Sequence, residues 1–190
     1  MCHELLRDSR FFDALLKFDR DIAAHFRKTR RCVVCGGRLD SAKYARKPRG
    51  GPEMLDPDHK LRFSFCCAEC RKRATPPSVR FLGPRVYVGP VVVLVSAMVN
   101  GVTEKRMAEL RDQVSPTLSA RTIRRWRVWW REIFVTTPFW KTARARFSPP
   151  VDVEDLPTSL LERFGRDARR RLLEVLEFLS PITTRSPMAA

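Results

Sequence analysis

Acidic residues are scarce in this sequence. Its 190 residues include 21 Asp+Glu against 37 Lys+Arg, which gives a formal net charge of +16 and a pI near 10.6. So large a basic excess is unusual for a metabolic enzyme and predicts a polyanionic partner, either nucleic acid or an anionic membrane surface. Hydrophobic residues still make up 44% of the chain, which is enough to build a packed core.

Long apolar runs are also missing. The longest, residues 91–99, is interrupted by Ser96 and falls short of the roughly 20 residues that span a bilayer. The first residues lack a basic stretch followed by an uninterrupted apolar one, so they do not predict a secretory signal. These absences favour a cytoplasmic, reducing setting and no membrane partner. In that setting the six cysteines are thiols or metal ligands rather than disulfides.

The patterns along the chain predict a mainly α fold with a small β zinc ribbon. Residues 1–28 have helical spacing of Phe and Leu and predict an amphipathic helix. Residues 29–89 hold five of the six cysteines and many prolines, which predicts a zinc ribbon with a long basic loop. Residues 90–147 predict three helices joined by short turns, a helix-turn-helix. Residues 148–190 predict an acidic linker, a helical C-terminal segment and a disordered tail.

The cysteine spacing predicts a metal site. Cys32 and Cys35 are two residues apart and are followed by Gly36 and Gly37, as in a zinc knuckle, where glycines supply the positive φ that aims backbone amides at sulfur. The same spacing recurs at Cys67 and Cys70. Two such pairs supply the four tetrahedral ligands of a structural zinc ion, which leaves no open position for water or substrate.

The third ligand is ambiguous in the sequence because Cys66 and Cys67 are adjacent. We favour Cys67, which restores the spacing of the first pair, and expect Cys66 to face the other side of its strand as a small buried residue. His59 is a less favoured substitute ligand, since it lies in a loop among aspartates. Free cysteines in a reduced protein are the remaining alternative.

The third predicted helix of the 90–147 segment has an apolar side and a basic side. The apolar residues recur at helical spacing and predict burial against the two preceding helices: Ile123, Trp126, Trp130, Ile133 and Phe134. The basic residues lie mostly off that face: Arg121, Arg124, Arg125 and Arg131. A helix fixed in this way can enter a major groove, where arginines contact phosphates and guanine edges. The alternative is that these arginines form only a solvated face.

A second group of basic residues favours the binding interpretation. It lies in and just before the predicted ribbon, with Arg27, Lys28, Arg30, Arg31 and Lys43 as members, and its candidate DNA contacts are Arg46, Lys47, Arg49, Arg71, Lys72 and Arg73. Two separate basic modules in one chain suit polyanion binding by counterion release. Trp129 and Trp140 are either core residues or stacking residues, and the core assignment is favoured.

The order of these motifs resembles one known family. Cys-x-x-Cys-Gly, a basic loop, Phe-x-Cys-Cys-x-x-Cys-Arg-Lys-Arg-x-Thr and a helix-turn-helix ending in TIRRWRVWW resemble the N-terminal DNA-binding region of bacterial insertion-sequence transposases. The resemblance covers roughly residues 30–135. It implies a zinc ribbon held by Cys32, Cys35, Cys67 and Cys70, and a helix-turn-helix that recognises double-stranded DNA through Arg121, Arg124 and Arg125.

The sequence departs from that family after the helix-turn-helix. Such transposases continue into a nuclease domain with three spaced acidic residues, whereas about 40 residues follow Pro150 here and their carboxylates lie close together. We therefore expect no enzyme but a zinc-stabilised, nucleoid-associated DNA-binding protein, an accessory or regulator of a mobile element, with a transposase as a further partner. The alternatives are an RNA-binding ribbon of a ribonucleoprotein, using the loop with Tyr44, and a truncated transposase or nuclease.

Overall fold

A computed structural model describes residues 2–52, 55–82, 87–98 and 103–184. The fold is mainly helical, with a small antiparallel β region between the N-terminal helix and the remaining helices. The helices are α1 (Cys2–Leu5), α2 (Ser9–Thr29), α3 (Gly89–Met98), α4 (Glu104–Gln113), α5 (Ala120–Val128), α6 (Pro138–Ala143), α7 (Thr158–Leu161) and α8 (Ala168–Leu179). The strands are β1 (Leu39–Ser41), β2 (Tyr44–Ala45), β3 (Leu61–Arg62), β4 (Phe65–Cys67) and β5 (Arg73–Ala74).

The predicted N-terminal helix is interrupted near its start. Asp8 caps α2, since its carboxylate accepts hydrogen bonds from the backbone N–H groups of Arg10 and Phe11 at 3.0 and 3.3 Å. Because this cap begins a new helix at Ser9, the single helix predicted over residues 1–28 is divided into α1 and α2. The buried face of α2 then contacts two separate cores: Phe11 lies in the large helical core and Leu16 in the ribbon core.

The β region consists of two small antiparallel sheets. One has the strand order β1-β4-β5, with Leu39 opposite Cys67 and Phe65 opposite Ala74, and the other pairs β2 with β3. The alternating sequence of residues 61–65 is divided between β3 and β4, which belong to different sheets. The first sheet covers a small core of its own, in which Phe26 of α2 stacks on Phe65 at 5.7 Å between ring centroids.

The three helices α3, α4 and α5 occur where the helix-turn-helix was predicted, and the turn expected at Gly101-Val102 lies outside the described residues. Helix α3 is buried over most of its length and contacts α5, α7 and α8. Ser119 caps α5, since its hydroxyl accepts a hydrogen bond from the N–H of Thr122. The chain continues from α5 into a π-helical turn over Trp129–Ile133.

That π turn corrects one residue of the predicted apolar face. Ile123, Trp126, Trp130 and Phe134 are buried, but Ile133 is 52% exposed. A π turn holds more residues than an α turn, so it shifts the positions that follow around the helix axis and moves Ile133 toward solvent.

The C-terminal segment packs on the helical core. Gly165 lies between α7 and α8. The expected disordered tail is wrong in its first part, because Ser180–Thr183 form a 3-10 helix. The hydroxyl of Thr183 accepts a hydrogen bond from the N–H of Ser78 at 2.9 Å, which ties this turn to the chain beyond the ribbon. Among the described residues no helix is long and apolar enough to cross a membrane.

A buried ion pair that the sequence did not reveal connects α2 to the ribbon. Asp19 is 1% exposed and accepts hydrogen bonds from Ser78 Oγ, Val79 N and Arg80 Nε at 2.6 to 2.8 Å. The other guanidinium nitrogens of Arg80 donate to the carbonyls of residues 58, 59 and 61. Burial lowers the pKa of Arg80, and the charge of Asp19 opposes that shift. The pair therefore fixes the ribbon against α2.

Candidate metal centre and basic surface

The four predicted cysteine ligands come together. The Sγ atoms of Cys32, Cys35, Cys67 and Cys70 all lie within 4.8 Å of one another, and the Cys32–Cys70 and Cys35–Cys67 pairs are each 3.4 Å apart. Four thiolates at about 2.3 Å from a tetrahedral zinc would lie about 3.8 Å from each other. The cluster is thus a plausible metal site with the donor set that zinc prefers.

The two cysteine turns have the same backbone geometry. The N–H of Cys32 donates to the carbonyl of Gly37 at 3.0 Å, and the N–H of Cys67 donates to the carbonyl of Lys72 at 2.9 Å. The residue after the second cysteine has positive φ in both turns, +73° at Gly36 and +61° at Arg71. Arg71 is thus the counterpart of Gly36, in a conformation that is uncommon for residues with a side chain.

Gly37 has a different role from the one predicted. It does not adopt a positive φ; instead, a Cβ at this position would lie 2.9 Å from the Sγ of Cys67 and 2.8 Å from a side-chain carbon of Glu69. Glycine is required here because the backbone of the first turn passes against the sulfur of the second.

The structure distinguishes the two adjacent cysteines. Cys67 is fully buried and belongs to the cluster, whereas Cys66 lies on the other side of β4, as expected. Cys66 is only half-buried, and its thiol donates to the carbonyl of Arg71 at 3.4 Å. His59 lies outside the cluster and contacts the carboxylate of Asp13 at 3.2 Å.

The thiols of the cluster differ in acidity. Backbone N–H groups of Cys35 and Val34 lower the pKa of Cys32 to about 6. At Cys70 the N–H of Lys72 favours the thiolate, but burial and the three neighbouring sulfurs outweigh it and raise the pKa to about 12. Four thiolates this close repel one another, and a divalent cation would offset that repulsion.

The arginines predicted on the third helix of the 90–147 segment are exposed, three of them on α5 and Arg131 in the π turn that follows it. Arg121, Arg124, Arg125 and Arg131 all face solvent, and none forms an ion pair with another described residue. Arg121, Arg124 and Arg125 are spaced i, i+3 and i+4, so they share one face of the helix. The opposite face carries the buried Ile123 and Trp126.

The basic residues of the ribbon lie in two places, the loop with Arg46, Lys47 and Arg49 and the second cysteine turn with Arg71, Lys72 and Arg73. Lys47, Arg49, Arg71 and Lys72 are exposed, and Arg46 is half-buried with its guanidinium over the ring of Phe81 at 5.4 Å. Arg73 is exposed but partly engaged, since it donates to the carbonyl of Ala42 and lies over the ring of Tyr44 at 5.4 Å.

The loop with Arg46, Lys47 and Arg49 is hydrogen-bonded to the segment that leads into α3. The N–H of Val88 donates to the carbonyl of Arg49 at 3.1 Å. Next to it, Tyr87 packs edge-on against Trp126 of α5, with ring centroids 5.1 Å apart. The segment bonded to this loop therefore contacts α5 from the side of Trp126, opposite the face that carries Arg121, Arg124 and Arg125.

The aromatic residues near α5 serve the core. Trp140 is 2% exposed, as the sequence favoured, and packs against Phe134. Trp129 is half-buried and packs edge-on against Trp130 at 4.8 Å.

Comparison with known proteins identifies no relative: no family model, no curated protein and no solved structure matches this chain.

Proposed function

We propose that this protein binds double-stranded DNA through α5 and that the cysteine cluster holds a structural zinc ion. The observation that carries the proposal is the two-sided character of α5. Its tryptophan side is locked into the core, while Arg121, Arg124 and Arg125 project together from the other side. A rigid support under an arginine face is what major-groove recognition needs, because the support fixes the register in which arginines meet guanine edges.

The ribbon loop supplies further basic residues. Lys47 and Arg49 are exposed, and we assign them phosphate contacts beside those of α5. Each phosphate neutralised by a lysine or arginine makes the fall of log affinity with log salt concentration steeper by about 0.9.

The contact between Arg73 and the ring of Tyr44 favours double-stranded DNA over single-stranded RNA as the ligand. In a single-stranded RNA site this ring would stack on a base, but Arg73 already lies over the ring. The wider role, an accessory or regulator of a mobile element, rests on the motif order alone. We propose no catalytic activity, and a transposase is the proposed protein partner.

The test is a salt series of binding to duplexes selected from a random library. The variant Arg124→Ala with Arg125→Ala should weaken binding at least tenfold and reduce the salt slope by up to about 2. The control, Arg10→Ala with Lys17→Ala on the exposed side of α2, removes the same charge and should change neither value much.

Equal losses in the two double variants would show that binding depends on net charge and not on α5. Selection that enriches no sequence would refute recognition, and competition by single-stranded RNA but not by duplex DNA would favour the ribonucleoprotein alternative.

A further inference from the structure

A groove of about 780 Å³ lies apart from α5, between α2 and the first cysteine turn. Ile22 and Phe26 of α2 form one wall, Val33 of the cysteine turn forms another, and Pro77 and Pro181 contribute from the chain beyond β5 and from the C-terminal 3-10 helix. The groove is therefore built by segments distant in sequence, and most of its surface is apolar.

The charged lining of the groove is basic on balance. Arg30 and Arg31 line it and are exposed, against one exposed carboxylate, that of Asp21. Val33 is 76% exposed and Val34 beside it is 64% exposed, although a small domain usually buries its valines. An apolar surface bordered by arginines fits a partner segment that has an apolar side chain and carboxylates.

The chain itself contains such a segment, the acidic turn of residues 152–155. Asp152, Glu154 and Asp155 are exposed, and Val153 among them is 40% exposed. Of the five exposed large apolar side chains in the described ranges, three belong to these two places: Val33, Val34 and Val153. The remaining two, Val128 and Ile133, belong to the α5 region.

The acidic turn is held in one shape. The N–H of Glu154 donates to the carboxylate of Asp152 at 2.9 Å, and Ser159 donates to the Asp152 carbonyl. On either side, Val151 and Leu156 are buried in the helical core. A preorganised turn loses little conformational entropy on docking, so even a small contact can give measurable association.

We propose that the acidic turn of one copy of this protein docks into the basic groove of a second copy. The two surfaces differ, so the contact is head-to-tail and leaves a free groove and a free turn at the ends of the assembly. A turn of a few residues buries less than the roughly 1,200 Å² of a standard interface, so association is weak, salt-sensitive and concentration-dependent. The proposal does not depend on DNA binding.

The test is sedimentation velocity of the full zinc-loaded chain over a range of concentrations. The wild-type protein should show a sedimentation coefficient that rises with concentration at low salt and not at high salt. The groove variant, Arg30→Glu with Arg31→Glu, and the turn variant, Asp152→Lys with Glu154→Lys, should each weaken association at least tenfold, since like charges now meet.

Mixing the two variants gives the decisive result. The groove variant keeps its acidic turn and the turn variant keeps its basic groove, so the mixture should form a one-to-one complex that grows no further. The control Arg10→Glu with Lys17→Glu, which changes the net charge as much as the groove variant, should still self-associate.

Other occupants of the groove give different outcomes. A wild-type protein that stays monomeric at all concentrations refutes the proposal. Self-association that appears only in a variant ending at Thr184 would mean that residues 185–190 occupy the groove, which also overturns it. If the groove variant loses DNA affinity while every protein remains monomeric, the groove binds nucleic acid instead.

Discussion

The adjacent cysteines provide a matched pair of substitutions that tests the metal centre. Cys67 contributes its sulfur to the cluster and Cys66, one residue earlier, does not. Replacing Cys67 by Ser should remove one of four thiolate ligands, whereas Cys66→Ser should leave all four in place. Both variants change a single sulfur to oxygen in the same strand, so general effects on β4 are shared.

The expected size of the difference follows from the ligand count. Structural zinc sites of this kind bind with about 10–16 kcal/mol, so one ligand in four contributes about 3 kcal/mol, or roughly a hundredfold in zinc affinity. Because Cys67 is also fully buried in the ribbon core, loss of the metal should expose this core as well. At Cys66 the thiol makes only weak hydrogen bonds to the carbonyls of Cys67 and Arg71, and Ser can replace them.

The assay is competition for zinc with a chromogenic chelator, with native mass spectrometry to count bound ions. The wild type and Cys66→Ser should each hold one zinc ion with similar affinity, and Cys67→Ser should lose most of it. Equal loss in both variants, or a Cys67→Ser protein with undiminished affinity, would refute the four-cysteine site described here.

Three further outcomes follow from other contacts. Gly37→Ala should weaken zinc binding about tenfold in the same assay, because its methyl group would crowd Cys67 Sγ; unchanged affinity would contradict the close approach. Asp19→Asn should lower the free energy of unfolding by about 3 kcal/mol in urea titration, since it leaves Arg80 buried without its counter-charge; a loss under 1 kcal/mol would refute that role. Burial lowers the pKa of His59 from 6.5, and the hydrogen bond that its ring donates to the Asp13 carboxylate only partly opposes this shift, so the unfolded chain takes up this proton first. Stability should therefore fall as the pH drops from about 6.5 toward the lower folded pKa, and His59→Gln should reduce that dependence.

The cysteine site was the most predictable part of this protein. Two Cys-x-x-Cys pairs specify their own local turns, so spacing alone was enough to choose Cys67 over Cys66. The prediction for Gly37 was wrong because the reason for that glycine is contact with the other turn, about 30 residues away in the chain. No local pattern contains such a contact.

The helices were predictable in position and less so in detail. Apolar periodicity placed α5, yet Ile133 was assigned to the buried face because periodicity assumes a regular helix, and the π turn breaks that assumption. The buried Asp19–Arg80 pair could not be predicted, since on sequence alone one aspartate of α2 looks like any other charged position on an amphipathic helix.

The sequence by itself determined the charge, most helical segments and the two Cys-x-x-Cys turns, because each depends on residue type and short spacing. Only the tertiary structure decided what surrounds the basic residues. It bonds the Arg49 backbone beside Tyr87, engages Arg73 with Tyr44, and sets Arg30 and Arg31 beside an apolar groove. These arrangements arise from packing between distant segments, where burial of apolar surface outweighs any local preference.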